Sequence, residues 1–251
     1  MSQLAVAGLF AMAALGWVVA PAWADYPLYG IAQTVNAPTV VVSTFNVDPS
    51  STAALIDDLV QSGPYNRGGG GLMDETISQG IADGGKPMDV FSVSIFQSSN
   101  AAESATTLRK SVLRTAQTRE PAYIQATVVE HLLANWGWER GQQVQFLRVV
   151  PGKPTNIYDN YGSSLAFFKS GYTGQMSMLE FFQPGASLDA VRAELTKRSG
   201  MSGASIYRDE ATGNYIVYSQ YFDTASALAA QSDSLVADRR MGQVTQNYRA
   251  R

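Results

Sequence analysis

Along the chain the spacing of apolar residues switches between a period of two and a period near 3.6, and the switch points mark out elements. Residues 39–45 are a run rich in β-branched side chains, which predicts a strand. Asp48-Pro49-Ser50-Ser51 then offers helix caps with proline near the first turn. Leu55, Ile56, Leu59 and Val60 follow at helical spacing, and Ser62-Gly63-Pro64 predicts the end of that helix. Gly68 to Gly71 reads as a loop. Residues 72–81 and 89–97 predict two strands, and 100–118 an amphipathic helix with Ala102, Leu108, Val112 and Leu113 inward. Residues 123–133 predict a closing strand, with 130–136 open to a helical reading.

The same order returns further on. Residues 176–182 predict a strand, and Pro184-Gly185-Ala186-Ser187 leads into a helix with Val191 and Leu195 inward, ended by Ser199-Gly200. Residues 204–209 and 214–222 form a hairpin across Ala211-Thr212-Gly213. A helix over 224–239 and a strand over 243–248 complete the set. Phe45, Leu55 and Leu59 match Phe181, Val191 and Leu195 at a separation of 136. Asp74-Glu75 matches Asp209-Glu210 at 135, and Ser94, Phe96 and Ser99 match Ser219, Tyr221 and Thr224 at 125. The drop of 10 predicts a longer first hairpin, with residues 78–87 inserted. Such self-similarity outranks any short motif.

Each half therefore reads β-α-β-β-α-β, the split ferredoxin-like unit, with helices on one sheet face. The other face, assigned to Phe91, Val93 and Ile95 in one half and to Tyr215, Val217 and Tyr221 in the other, would be a large exposed apolar patch in isolation. Packing the two sheets together hides both. The expected fold class is α+β: two ferredoxin-like repeats packed sheet to sheet as a pseudo-dimeric α+β barrel. The repeats occupy residues 39–150 and 175–251, joined by a linker over 151–174.

The chain starts differently. Residues 4–22 are nearly all apolar, and Pro21-Ala22-Trp23-Ala24 gives a small-x-small signal before Asp25. Residues 1–24 are expected to be a signal peptide or an N-terminal hydrophobic anchor, since about 19 apolar residues just span a bilayer. A linker over 25–38 follows. Met1-Ser2-Gln3 lacks the usual positive charge, which keeps the anchor reading open. The expected location is periplasmic or secreted, or membrane-anchored through residues 4–22.

Bulk composition narrows the function classes. Of 251 residues 45% are hydrophobic and 16% charged, a globular mix. The net charge of −3 and the scattered basic residues argue against nucleic acid. Absence of cysteine excludes disulfides, thiolate nucleophiles and cysteine-ligated metals.

Gly203-Ala204-Ser205-Ile206-Tyr207-Arg208-Asp209-Glu210, followed by Tyr215-Ile216-Val217-Tyr218-Ser219-Gln220-Tyr221-Phe222-Asp223-Thr224-Ala225-Ser226-Ala227, resembles the dimeric α+β barrel superfamily, in particular its antibiotic-biosynthesis-monooxygenase-like branch. The likeness covers about 70 residues of the second half well, and the first half faintly. It implies the barrel architecture but no reaction: the superfamily holds cofactor-independent oxygenases, haem-degrading enzymes, dye-type peroxidases and muconolactone-isomerase-like proteins, with no universal catalytic signature.

The chemistry-bearing residues are few. His131 is the sole histidine, with Asn135, Trp136 and Trp138 close by. Haem-degrading relatives use such residue types, yet a lone histidine is ordinarily a surface or capped residue, and no cofactor is expected. The acidic pairs Asp74-Glu75 and Asp209-Glu210 point to opposite strand faces and read as solvated turn residues. Gly68 to Gly71 lacks the Lys-Ser/Thr of a phosphate loop, and no metal-binding spacing is present. Aromatic residues are the richest signal. Tyr215, Tyr218, Tyr221, Gln220, Phe91 and His131 are the candidate ligand-binding set, in which tyrosines would hydrogen-bond a polar group on an apolar ligand. Two functions follow: a binder, or cofactor-free oxygenase-like enzyme, for a small apolar or aromatic molecule; or a non-catalytic scaffold subunit of a membrane-associated complex. A hollow between the sheets favours the first, and a filled one the second.

Overall fold

The computed structural model describes residues 39–68, 71–81, 88–96, 98–112, 118–135, 143–148, 176–221, 223–230 and 234–249. The predicted leader and both predicted linkers lie outside these. No helix among the described residues is long and apolar enough to cross a membrane.

The first half runs β1 (Thr39–Val47), a 3-10 turn (Pro49–Ser51), α1 (Thr52–Gly68), β2 (Leu72–Gly80), β3 (Met88–Phe96), α2 (Ser99–Val112) and β4 (Thr118–Asn135), with an added strand β5 (Gln143–Arg148). The second runs β6 (Met176–Phe182), α3 (Leu188–Thr196), β7 (Met201–Asp209), β8 (Tyr215–Tyr221), α4 (Thr224–Ala229) and β9 (Val236–Arg249). The order β1-β3-β2-β9-β6-β8-β7-β4 closes through a β1–β4 pairing into an eight-stranded antiparallel barrel, with β5 alongside β4. The last strand of each half does the closing. β4 pairs with β1 along its first part and crosses to β7 beyond it; β9 pairs with β6 and crosses to β2.

Strand register makes the repeat explicit. Thr39 opposite Phe96 and Val42 opposite Val93 in the first half correspond to Met176 opposite Tyr221 and Leu179 opposite Tyr218 in the second. The separations are 137 on the first strand and 125 on the third, so Phe45 corresponds to Phe182 and not to Phe181. Ser78 opposite Phe91 corresponds to Tyr207 opposite Ile216, a separation of 129. The first hairpin is therefore longer by 4 residues rather than by 10, and Glu75 corresponds to Ala204, not Glu210. The helix match of Leu55 and Leu59 to Val191 and Leu195 holds, and all four are buried.

Barrel strands bury side chains on both faces. Inward, Val40, Val42, Phe91, Val93, Ala126 and Val128 pack with Leu179, Tyr207, Ile216 and Tyr218 in one cluster drawn from both halves. Outward, the helices cover each sheet. In the second half Val191 and Leu195 of α3 and Ala227 of α4 join Met178, Phe182, Ile206, Val217 and Tyr221. The inner face of β8 is thus Ile216 and Tyr218, whereas Tyr215, Val217 and Tyr221, expected to face the other half, lie under the helices. Alternation separates the two faces of a strand but does not say which is inward when both are aromatic.

Three element expectations are corrected. α1 continues through Pro64 to Gly68, so the Ser62-Gly63-Pro64 stop is overridden. The inward face of α2 is Ala102, Ala105 and Arg109, while Leu108 is exposed. The helix expected over 224–239 ends at Ala229, and Val236–Arg249 is strand. Pairing with both β6 and β2 satisfies two open sheet edges at once, which outweighs the local helical pattern. Alternation along β9 then sends Arg239 to the helix side and Arg240 to the barrel side, each onto a carboxylate. Close backbone approach at this seam requires glycine: a Cβ on Gly242 would lie 2.4 Å from the Gln79 carbonyl oxygen.

Candidate functional site

The structure divides the six candidate residues. Phe91, Tyr218 and Gln220 belong to the inner face, where the Gln220 amide donates to the Tyr218 hydroxyl at 3.1 Å. Tyr215 and Tyr221 lie on the opposite face of the same strand. His131 sits on β4, opposite Ser205 of β7. Asn135 ends that strand, while Trp136 and Trp138 fall outside the described residues. Among the described residues no group of His, Asp or Glu could hold a metal ion.

Tyr221 stands beside a cluster of buried charge. On β6, Glu180 is wholly buried beneath the helix layer. Arg198, just beyond the end of α3, donates to it from Nη1 at 2.5 Å and from Nη2 at 3.0 Å. Arg239 of β9 donates from Nε to the same carboxylate at 2.8 Å. The Tyr221 hydroxyl accepts from Arg198 Nη1 at 3.2 Å, and Ser219 Oγ lies 3.5 Å from it. Burial pushes the Tyr221 phenol above its usual range, with Arg198 opposing, so this hydroxyl stays protonated. The Arg198 side chain is only 2% exposed, and burial is the largest influence on it; even so, Glu180 first and Tyr221 after it hold it firmly charged.

A cleft of about 270 Å³ opens beside Arg198. Its walls are Glu194, Lys197, Arg198 and Ser199 at the end of α3, and Ser226, Ala229 and Ala230 of α4. Local sequence explains the walls. Ser187 caps α3 by accepting from Ala190 N, and Val191 and Leu195 seat the helix on the sheet. Asp223 caps α4 through Ser226 N at 2.7 Å, which holds its carboxyl below the usual range and fixes Ser226 on the rim. Glu194 Oε1 stands 4.0 Å from Arg198 Nε, and Lys197 bonds Glu194 at 3.2 Å. The arrangement gathers Glu194, Lys197, Arg198, Ser199 and Ser226 round one small space.

Sequence reasoning singled out Tyr221 but not Glu180 or Arg198. They are 18 residues apart in unlike elements, and no local spacing announces their pairing. The acidic pairs behave differently from expectation as well. Glu75 is buried and bound by Arg109 and by Ser94 Oγ at 2.9 Å, not solvated. Glu210 is exposed as expected, yet accepts from Gln125 and Thr127 at 2.8 and 2.9 Å and so ties the second hairpin to β4.

No family model and no curated protein sequence matches the chain. Among solved structures, an anthrone oxidase-like protein is 14% identical, with 85% of this chain and 93% of that one covered at a TM-score of 0.56. A candidate monooxygenase of Fusobacterium nucleatum subsp. nucleatum is 13% identical, with 85% and 94% covered and a TM-score of 0.48. A mutant chlorite dismutase of Candidatus Nitrospira defluvii, solved with cyanide, is 9% identical, with 86% and 93% covered and a TM-score of 0.46. At these identities the likeness is one of fold. The chain shares the α+β barrel fold of the anthrone oxidase-like protein, with its two halves in a single polypeptide.

Proposed function

We propose that this barrel binds a small aromatic molecule carrying an acidic oxygen, a phenol or an enolisable ketone, in the cleft beside Arg198. The observation that supports it is a guanidinium almost wholly buried and clamped by Glu180, on a residue that also lines this cleft. Arginine does not lose its proton in a protein, and the clamp removes its freedom to swing away. It therefore offers a positioned positive charge to a phenolate or enolate oxygen in a partly dry site, where such charge acts most strongly. The cleft is at the small end of ligand pockets, which suits a molecule of one to three rings.

The aromatic class is drawn from the likeness to the anthrone oxidase-like protein. An activated methylene compound reacts with one molecule of dioxygen to give a ketone and one molecule of water. Both methylene C–H bonds break, one oxygen atom becomes the new carbonyl, and the other leaves as water with the two hydrogens. The substrate supplies all the electrons. Glu194, on the cleft wall, takes the first proton, and Arg198 holds the enolate oxygen that results.

A direct test uses 1,8-dihydroxy-9-anthrone as probe, with binding followed by fluorescence and oxygen uptake by an electrode. Ala229→Trp fills the cleft from the exposed face of α4 without touching the core. Saturable binding and oxygen uptake are expected in the parent and not in the variant, at equal unfolding midpoints. Undiminished binding in Ala229→Trp would refute the site. The expected export belongs to the same reading, with residues 1–24 acting as a leader. Mass spectrometry of the chain from a cell-envelope fraction is expected to find Asp25 at the N-terminus; Met1 there would contradict cleavage.

A further inference from the structure

The helix-facing side of the first half carries a band of buried polar groups whose hydrogen bonding is incomplete. Ser43 and Ser92 stand opposite one another on β1 and β3, both wholly buried, and neither hydroxyl has a hydrogen-bond partner among the described residues. Ser94 and Glu75 form the neighbouring pair on the same face. Arg109 of α2 is 1% exposed, binds Glu75 and donates to Ser94 Oγ at 3.0 Å, but its Nε has no partner there either. On the other side of Ser43 stands Tyr123 of β4, with the Lys110 ammonium 5.4 Å from its ring centre. By register, Ser43 and Ser92 correspond to Glu180 and Val217, so the second half satisfies or avoids these positions.

Native interiors pair nearly all their buried polar groups, and unpaired ones cost stability, so three orphan donors in one band call for a physical reason. The packing above them supplies one. α1 sits on one apolar cluster, Leu55 and Leu59 over Phe45 and Val90, while α2 sits on another, Ala102 and Ala105 over Val41 and Phe96. In the second half, α3 and α4 share a single cluster. The serine band thus runs along a seam between two separately anchored helices. α1 and α2 touch one another, so a ligand reaches the band only where the two helices part.

We propose that this seam is a second binding site, peculiar to the first half, that takes a small apolar molecule presenting one anionic oxygen, such as an aromatic carboxylate. Ser43, Ser92 and Arg109 Nε are donors for that oxygen, and the flanking charges suit it, since Arg109 and Lys110 outnumber Glu75. The apolar body lies between the Leu55–Leu59 and Ala102–Ala105 surfaces. This site shares no residue with the Arg198 cleft and does not depend on it.

The test is titration of the full chain with sodium benzoate, read by calorimetry and by the unfolding midpoint, in the parent, in Ser43→Ala/Ser92→Ala and in Ala229→Trp. Saturable binding to the parent is expected. The double alanine variant unfolds at a higher midpoint without benzoate, because its orphan hydroxyls are gone, yet binds benzoate about tenfold more weakly. Ala229→Trp binds like the parent, and neutral benzamide binds at least about tenfold more weakly than benzoate. Absence of saturable binding, equal affinity in the double variant, loss in Ala229→Trp instead, or equal affinity for benzamide would each overturn the proposal.

Discussion

Glu180→Gln is the most informative single change to the second half. The parent carboxylate is 0% exposed and receives charge-assisted hydrogen bonds from two arginines. Glutamine keeps the shape and one accepting oxygen but removes the charge. Arg239 is 17% exposed and can turn toward water, whereas Arg198 is 2% exposed and is left facing Glu194 at 4.0 Å. Breaking a buried pair by removing one partner costs about 3–5 kcal/mol, and the retained oxygen places this change near the lower end, about 3 kcal/mol. For a chain of this size that lowers the unfolding midpoint by roughly 6–12 °C. Urea unfolding followed by circular dichroism measures the loss, with Glu210→Gln as the exposed control expected to cost under about 1 kcal/mol. If the two variants lose the same small amount, Glu180 is not the buried counter-ion, and the fixed-cation argument for the cleft fails with it.

Tyr221 and Tyr123 both have phenols raised by burial, so the folded chain retains protons that the unfolded chain releases above about pH 10. Stability is expected to be lost as pH rises through that region, and Tyr221→Phe should flatten the decline; an unchanged pH profile would count against burial of this hydroxyl. Gly242→Ala drives a Cβ into the Gln79 carbonyl and should cost about 1–3 kcal/mol, measured by urea unfolding, whereas an unaffected midpoint would mean the β2–β9 seam is looser than described. Asp223→Ala should weaken amide protection over α4 near neutral pH, and the difference from parent should vanish as pH falls through the carboxylate range, because the cap acts only while ionised.

Much of the architecture was readable from periodicity, because strands 39–47 and 176–182 and the helices after them carry strong two-fold and 3.6-fold patterns. Repetition held more than alternation did. Adding the separation of 125 to Phe91, Val93 and Ile95 gives Ile216, Tyr218 and Gln220, the inward face of β8, whereas tyrosine content alone pointed to Tyr215 and Tyr221. Phe181-Phe182 admits two alignments one residue apart, and only register decides for Phe182. The acidic pairs matched by chance, since chemical likeness at hairpin ends is weaker information than pairing partners. The candidate site was the least readable part. Glu180, Arg198 and Arg239 converge from three elements, and a buried ion pair looks in sequence like any surface charge. β9 was hidden for a related reason: its strand state comes from two neighbours far away in sequence.

Everything rests on a barrel closed by the exchange of last strands between halves, and an otherwise cysteine-free chain allows a clean test. Gln79 opposes Gln243 across one seam and Thr127 opposes Arg208 across the other. Directly opposed residues in antiparallel strands lie within disulfide reach. The quadruple variant Gln79→Cys/Gln243→Cys/Thr127→Cys/Arg208→Cys should oxidise to two intramolecular bridges, one joining positions 79 and 243 and the other joining 127 and 208. Peptide mapping identifies them, with no loss of native circular dichroism expected. Failure of either bridge to form, or bridges only between separate chains, would contradict the closed single-chain barrel.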